Sequence, residues 1–314
     1  MEEKIAPREV FGRTLIDLGK SNEKIVVLDA DLGPSTRVSY FAEEFPERFI
    51  QVGVAEQNMV GIAAGLSTFG FIPFAATFAC FISKRACDQV TLSVAYPKMN
   101  VKLIGGYCGL FSGKNGATHQ SLEDIAIMRA IPDMIVLIPA DGIETEKIIR
   151  FAAQYEGPVY IRVPRDPLPI VNSSDYEFSL GKATILKEGS DVSIICAGTM
   201  VSESLKAAEE LLKEGIKARV INMSSIKPID EEAIVKAAKE TGAIVTVENH
   251  NIIGGLGGAV AEVLGERFPA PLKRVGVKDV FGKSGENEEM KKKFGLTASD
   301  IKDAVKNVMR RKKD

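Results

Sequence analysis

Among the carboxylates of this chain, Glu56 has the setting with the most chemical scope. It stands where an apolar run, Phe49-Ile50-Gln51-Val52, turns through Gly53-Val54-Ala55 into a helical pattern from Glu56 to Phe69 with small residues on one side. The helix macrodipole favours an anion in a first turn, and that alone accounts for a glutamate here. The position has a second use, because open α/β sheets bind ligands in the crevice beyond their strand ends. The Gly and Ala residues that follow Glu56 let something flat approach the backbone, and a buried carboxylate there could hydrogen-bond a ring nitrogen.

Other candidates surround it in sequence. Phe78 and Phe81 stand at i and i+3, which suits an ordinary helical core face as well as an aromatic wall. Asp31, in Asp29-Ala30-Asp31-Leu32-Gly33-Pro34-Ser35, fits a turn or an N-cap. The segment from Gly105 to His119 is too glycine-rich for a helix or strand and too long for a simple connector, and long loops in compact domains are often functional. It carries Asn115 and His119, the latter either a plain loop histidine or a proton shuttle near neutral pH. The loop should lead into a helix capped by Ser121, with Asp124 three residues later. Arg8 and Arg165 flank this region; each fits a surface cation, or a planar fork for an anion.

The elements that must position these residues read as α/β. Strands are expected at Ile25–Leu28, Phe49–Val52, Val101–Ile104, Met134–Ile138 and Val159–Val163, with helices over Glu56–Phe69, Phe78–Ala95 and Gly142–Gln154. This alternation predicts a largely parallel sheet with helices on both faces. Three prolines in Pro164–Pro169, then a polar cluster, mark a boundary. The expected organisation is a first domain over 1–170, a linker over 171–185, and a smaller α/β domain over 186–314. In the second, strands at Val192–Cys196, Ala218–Ile221, Ala243–Val247 and Leu272–Val277 alternate with helices at Val201–Lys213, Asp230–Lys239 and Gly254–Phe268. The glycines of Gly254–Gly258 lack dinucleotide-binding spacing and suit tight helix–strand packing, and His250 suits a structural hydrogen bond. The basic run Arg310–Lys313 reads as a solvated helix end.

Composition narrows the function classes. The 314 residues exceed one ordinary core, and 45% hydrophobic, 26% charged and a net charge of −2 describe a globular protein with no nucleic-acid or membrane partner. The start, MEEKIAPREVFG, has no secretory pattern, and the four cysteines form no paired metal spacing, so a cytoplasmic location is expected. With two histidines, a His-rich metal centre is ruled out, and no metal ligand is assigned to this chain.

The run from Arg48 to Phe81, RFIQVGVAEQNMVGIAAGLSTFGFIPFAATFACF, resembles the pyrimidine-binding core of transketolases. DADLGPS before it, and GATHQSLEDIAIMRAIPD, IPADGIETEKII and NHNIIGGLGGAVAE after it, keep the family order, so the resemblance covers nearly the whole chain. It implies a thiamine diphosphate-binding fold, a pyrimidine domain followed by a transketolase C-terminal domain. Glu56 would hydrogen-bond the pyrimidine and set up the proton relay that activates the cofactor, with Phe78 and Phe81 packing on that ring and Asp31 and Leu32 on the cofactor side. Arg8, Ser35 and Arg165 would hold sugar phosphate, and His119 and Asn115 would face substrate hydroxyls. The sequence departs from the family at Asn115, which replaces an aspartate, at Tyr107, which replaces a phosphate-contacting histidine, and at Lys84, which replaces a tyrosine.

The resemblance also implies what must come from elsewhere. The family holds the diphosphate through Mg2+ on a GDG motif with a downstream asparagine, because hard cations need oxygen ligands. This sequence has no GDG. The expectation is therefore a split transketolase, active only with a separate N-terminal subunit that carries the Mg2+ site, as an α2β2 heterotetramer, with this chain also a homodimer by itself. The expected reaction moves a two-carbon ketol unit from a ketose phosphate to an aldose phosphate. Alternatives are half of a 1-deoxyxylulose-5-phosphate synthase, the beta subunit of a 2-oxoacid dehydrogenase, and a non-catalytic regulatory subunit.

Overall fold

A computed structural model describes residues 3–312. Two sheets organise the chain. The first has seven strands in the spatial order Ser225–Lys227, Ile135–Leu137, Val159–Val163, Lys102–Gly106, Ile72–Phe78, Ile25–Asp29 and Phe49–Gln51. The second has five, in the order Leu272–Val277, Ile244–Asn251, Val192–Cys196, Ala218–Asn222 and Thr184–Lys187. Pairing is parallel except at one edge of each sheet, where Ser225–Lys227 and Thr184–Lys187 run antiparallel to their neighbours. The α/β class expected from sequence is borne out, and Ile25–Asp29 and Val159–Val163 are buried along their whole length, as strands covered on both faces must be.

Three differences bear on the site. The strand Ile72–Phe78 is absent from the sequence reading, because Pro73 and two alanines make IPFAATF a poor strand by composition. The register explains its acceptance: pairing with Lys102–Gly106 begins only at Phe74, so Pro73 owes no N–H on that side. The expected helix Phe78–Ala95 is broken, with Phe78 closing the strand, a helix over Ala79–Lys84, a short turn at Cys87–Gln89 and a π-helical stretch at Val90–Ala95. Ser121 does not cap the next helix, which runs Asp124–Ala130 with Glu123 at its N-cap. Asp124 instead turns inward and binds Arg162 at 2.7 and 2.9 Å and the Tyr160 hydroxyl at 2.6 Å. Burial pushes its carboxyl up, but the Arg162 guanidinium overrides this and holds it below its ordinary range.

The two halves are not separate bodies. Ser225–Lys227 belongs in sequence to the second half yet forms the edge of the first sheet, against Ile135–Leu137. One apolar cluster runs from Leu28 and Leu103 through Met134 and Ile226 to Ile221 and Ile244. At the glycine-rich turn before helix Leu256–Arg267, the Glu248 carboxylate accepts the N–H groups of Leu256 and Gly257 at 2.7 and 2.9 Å. A Cβ on Gly255 would lie 2.0 Å from that carboxylate, so close packing requires this glycine. His250 is fully buried beside it, with Nδ1 at 2.6 Å from the Asn251 carbonyl, the structural bond expected from sequence. Arg310–Lys312 follow the helix Ala298–Met309; Lys313 lies outside the described residues. No helix among the described residues is long and apolar enough to cross a membrane.

Candidate active site

The candidate residues follow one strand end after another along the C-terminal edge of the first sheet. Asp31, Leu32 and Ser35 follow Ile25–Asp29, Glu56 follows Phe49–Gln51, and Phe78 ends Ile72–Phe78 with Phe81 just after it. Tyr107, Asn115 and His119 follow Lys102–Gly106, and Arg165 follows Val159–Val163. Parallel pairing therefore gathers at one rim residues that are far apart in sequence.

The structure brings six of these side chains into one open cleft of about 370 Å³, lined by Ser35, Phe78, Tyr107, Asn115, His119 and Arg165. Its floor is aromatic. Tyr107 stacks on Phe78 with centroids 4.2 Å apart, and His119 meets Phe81 edge-on at 5.3 Å. Tyr107 has φ of +54°, a strained value for a tyrosine, and the stacking holds it there. Its hydroxyl accepts from Arg8 Nη1 at 2.9 Å, and the same nitrogen donates to the Ser35 carbonyl at 3.1 Å. The Arg165 guanidinium lies 5.3 Å from the Tyr107 ring centre, so two cations flank one phenol. Such a grouping attracts an anion, and the Tyr107 O–H, serving Arg8 as an acceptor, keeps its proton to donate.

Glu56 opens onto a neighbouring cleft with Val54, Gln57, Asn58 and Arg85, and does not line the first. The residue is 4% exposed, and its carboxylate accepts from Arg85 Nη1 at 2.8 Å. Arg85 in turn lies over Phe81, 3.9 Å from the ring centre, so Phe81 stands between the two clefts with Arg85 on one side and His119 on the other. Cys80 is packed beneath, and burial pushes its thiol up to about 12, which makes it an inert packing group. Lys84 turns away to Glu123 at 3.5 Å.

Asp31 is exposed at φ of +63° and makes no side-chain bond to its turn. Asp29 does that work. Its carboxylate accepts from Leu32 and Gly33 N–H at 3.1 and 2.9 Å and from Gln51 at 2.7 Å, and burial pushes its pKa up against those bonds. Gln51 also accepts from the Asp31 and Gly53 N–H groups, tying together the turns after two adjacent strands. Leu32 packs against Phe78, Cys80 and Tyr107. Asp29, Gln51 and Arg85 were missed in the sequence. An aspartate four residues before Gly33-Pro34 is a visible capping signal, whereas Arg85 is visible only as the residue one turn after Phe81.

These geometries fit the pyrimidine side of a thiamine diphosphate site: a buried carboxylate at a helix start, next to an aromatic wall. The described residues contain no group of three acidic, His or Cys side chains able to hold a metal ion.

Comparison with known proteins decides the family. Residues 3–170 match the model of the transketolase pyrimidine binding domain, and 181–301 that of the transketolase C-terminal domain. The chain belongs to the transketolase family. Among its relatives is the 6-deoxy-6-sulfo-D-fructose transketolase subunit SqwH of Clostridium sp. (strain MSTE9), 49% identical over 97% of this chain and 95% of that protein. An apulose-4-phosphate transketolase subunit from Phocaeicola vulgatus is 42% identical over 95% of each chain. A solved split gene transketolase, described as an inactive beta4 tetramer, superposes with a TM-score of 0.92 at 51% identity, covering 98% of this chain and 100% of that one. The chain is thus a split transketolase-family subunit, and its family domains imply dependence on thiamine diphosphate.

Proposed function

We propose that this chain is the pyrimidine-side subunit of a transketolase that moves a two-carbon ketol unit from a ketose to an aldose carrying an anionic end group. Bound thiamine diphosphate supplies the carbanion chemistry. The observation that carries the reading is Glu56, buried at the start of helix Glu56–Thr68 and bonded to Arg85, which lies over Phe81 at the end of the Phe78–Phe81 wall. There it would hold a proton against the pyrimidine ring, with Phe78 and Phe81 packing on the ring and Asp31 and Leu32 beside the cofactor. Arg8, Ser35, Tyr107 and Arg165 would hold the anionic end of the sugar, and His119 and Asn115 would face its hydroxyls.

The same reading calls for a partner. A separate subunit would bind the diphosphate and Mg2+ and complete the site, in an α2β2 assembly. The relative described as an inactive tetramer of one chain supports that need. The sulfosugar and apulose phosphate named for the relatives support an anionic sugar more than one fixed sugar.

The test mixes the chain with the candidate N-terminal subunit, thiamine diphosphate and Mg2+, and compares two substrate pairs. Turnover of xylulose 5-phosphate with ribose 5-phosphate supports the reading. Turnover of pyruvate with glyceraldehyde 3-phosphate alone would replace it with the deoxyxylulose-phosphate synthase alternative. A stable complex inactive with both pairs and with sulfofructose would favour a regulatory subunit.

A further inference from the structure

The loop that carries Tyr107, Asn115 and His119 is shaped by the C-terminal domain. Residues 282–287, between strand Leu272–Val277 and helix Asn287–Lys293, run along it almost residue by residue. Gln120 donates both to the loop carbonyl of Leu110, at 3.0 Å, and to the Lys283 carbonyl, at 2.9 Å. A Cβ on Gly282 would lie 1.7 Å from the Gln120 side-chain oxygen. A Cβ on Gly116 would lie 2.6 Å from the Ser284 hydroxyl oxygen, and Lys114 pairs with Glu286 at 2.8 Å. From the other side, Asn249 accepts the Leu110 N–H at 2.8 Å.

One residue of this segment reaches both walls of the anion cleft. The Asn287 side-chain oxygen accepts the Gly113 N–H at 3.1 Å, and its amide nitrogen donates to the Asp166 carboxylate. Asp166 adjoins Arg165, whose Nε lies 3.7 Å from it, and Arg165 Nη1 reaches back to the Ser112 carbonyl at 3.4 Å. The circuit Gly113, Asn287, Asp166, Arg165 and Ser112 closes on itself. It sets the loop bearing Asn115 and His119 against the guanidinium that faces them.

We propose that Asn287, on the C-terminal domain, is a positioning residue for the substrate cleft: by joining Gly113 to Asp166 it sets the loop of Asn115 and His119 at a fixed distance from Arg165. This rests on the reading that the cleft takes the anionic end of the sugar. Asn287 lines neither the anion cleft nor the cleft of Glu56, and it acts on the loop and Arg165 side alone, so its loss should change substrate affinity and leave cofactor affinity alone.

The test has two arms. In the chain alone, hydrogen exchange is followed in peptides spanning 110–119; Asn287→Ala removes both of its hydrogen bonds, and loss of the one made directly to the loop, at Gly113, should speed exchange there by about fivefold to tenfold, with helix Gly142–Gln154 unchanged. In the complex with the partner subunit, the same variant should raise KM for a ketose phosphate by a similar factor, with a smaller change in kcat and unchanged thiamine diphosphate affinity. Asn287→Asp sets two carboxylates face to face and should loosen the loop, and adding Asp166→Asn restores a donor and with it the slow exchange. Unchanged loop exchange in Asn287→Ala, no recovery in the double variant, or equal losses of cofactor and substrate affinity would each overturn the proposal. A parent complex inactive on ketose phosphates overturns the transketolase reading instead, and loop exchange then decides the role of Asn287.

Discussion

Gly105 gives a direct test of how the strand that feeds the substrate loop is anchored. In Gly105→Ala, the new Cβ falls 2.3 Å from the Tyr160 hydroxyl oxygen and 2.8 and 2.9 Å from two of its ring carbons. Neither side has room to yield. Tyr160 is fully buried and donates to Asp124 at 2.6 Å, while the strand Lys102–Gly106 is held between Ile72–Phe78 and Val159–Val163. Overpacking of this kind costs about 1–3 kcal/mol. Dragging the hydroxyl from a buried, ionised carboxylate adds about 1.5–3 kcal/mol, for a loss of roughly 2.5–6 kcal/mol in all. At roughly 2–4 °C per kcal/mol for a large domain, Tm should fall by about 5–24 °C in a circular dichroism melt. Gly105→Ala with Tyr160→Phe removes the oxygen but keeps the ring contact, so part of the loss should return. A single Gly105→Ala variant within about 1 kcal/mol of the parent would refute the reasoning.

Further outcomes are expected. Glu56→Gln should leave the fold intact, because Arg85 keeps an acceptor, but lower kcat by about 10²–10⁴-fold in the reconstituted enzyme, measured by steady-state kinetics. Arg8→Ala removes a charged donor to Tyr107 and Ser35 and should raise KM for a phosphorylated ketose by roughly tenfold or more, and for an unphosphorylated acceptor far less. Lys102 is buried, and its pKa falls from 10.5 to about 7 through loss of solvation. Between those values the unfolded chain binds a proton that the folded chain does not, so this lysine makes stability rise as pH increases from about 7 to 10.5. Urea unfolding at several pH values should show that slope, and Lys102→Met should flatten it.

The strands with continuous apolar runs were legible because burial on both faces writes itself into composition. Ile72–Phe78 was not, because its proline is permitted by register, and register is a property of two strands together. Glu56, Phe78 and His119 could be found from family-like runs around them. Their division between two clefts could not, since it depends on where Arg85 lies over Phe81. Ser121 was misread as the cap, with Asp124 three residues later, because the true partner of Asp124, Arg162, is 38 residues away. Nothing near Asp166 in the sequence announces Asn287, which is 121 residues further on and meets it only through folding.

The strand Ser225–Lys227 has a consequence for how this polypeptide can be divided. Cutting the chain at the boundary near residue 170 would strip Ile135–Leu137 of one of its two neighbours and leave an open β-edge, a template for pairing with other molecules. The same cut would leave an apolar surface around Met134 and Val136 uncovered. The junction that looks most like a linker is therefore a poor place for a gene to break, and the two domains are expected to have been inherited and exchanged together as one unit.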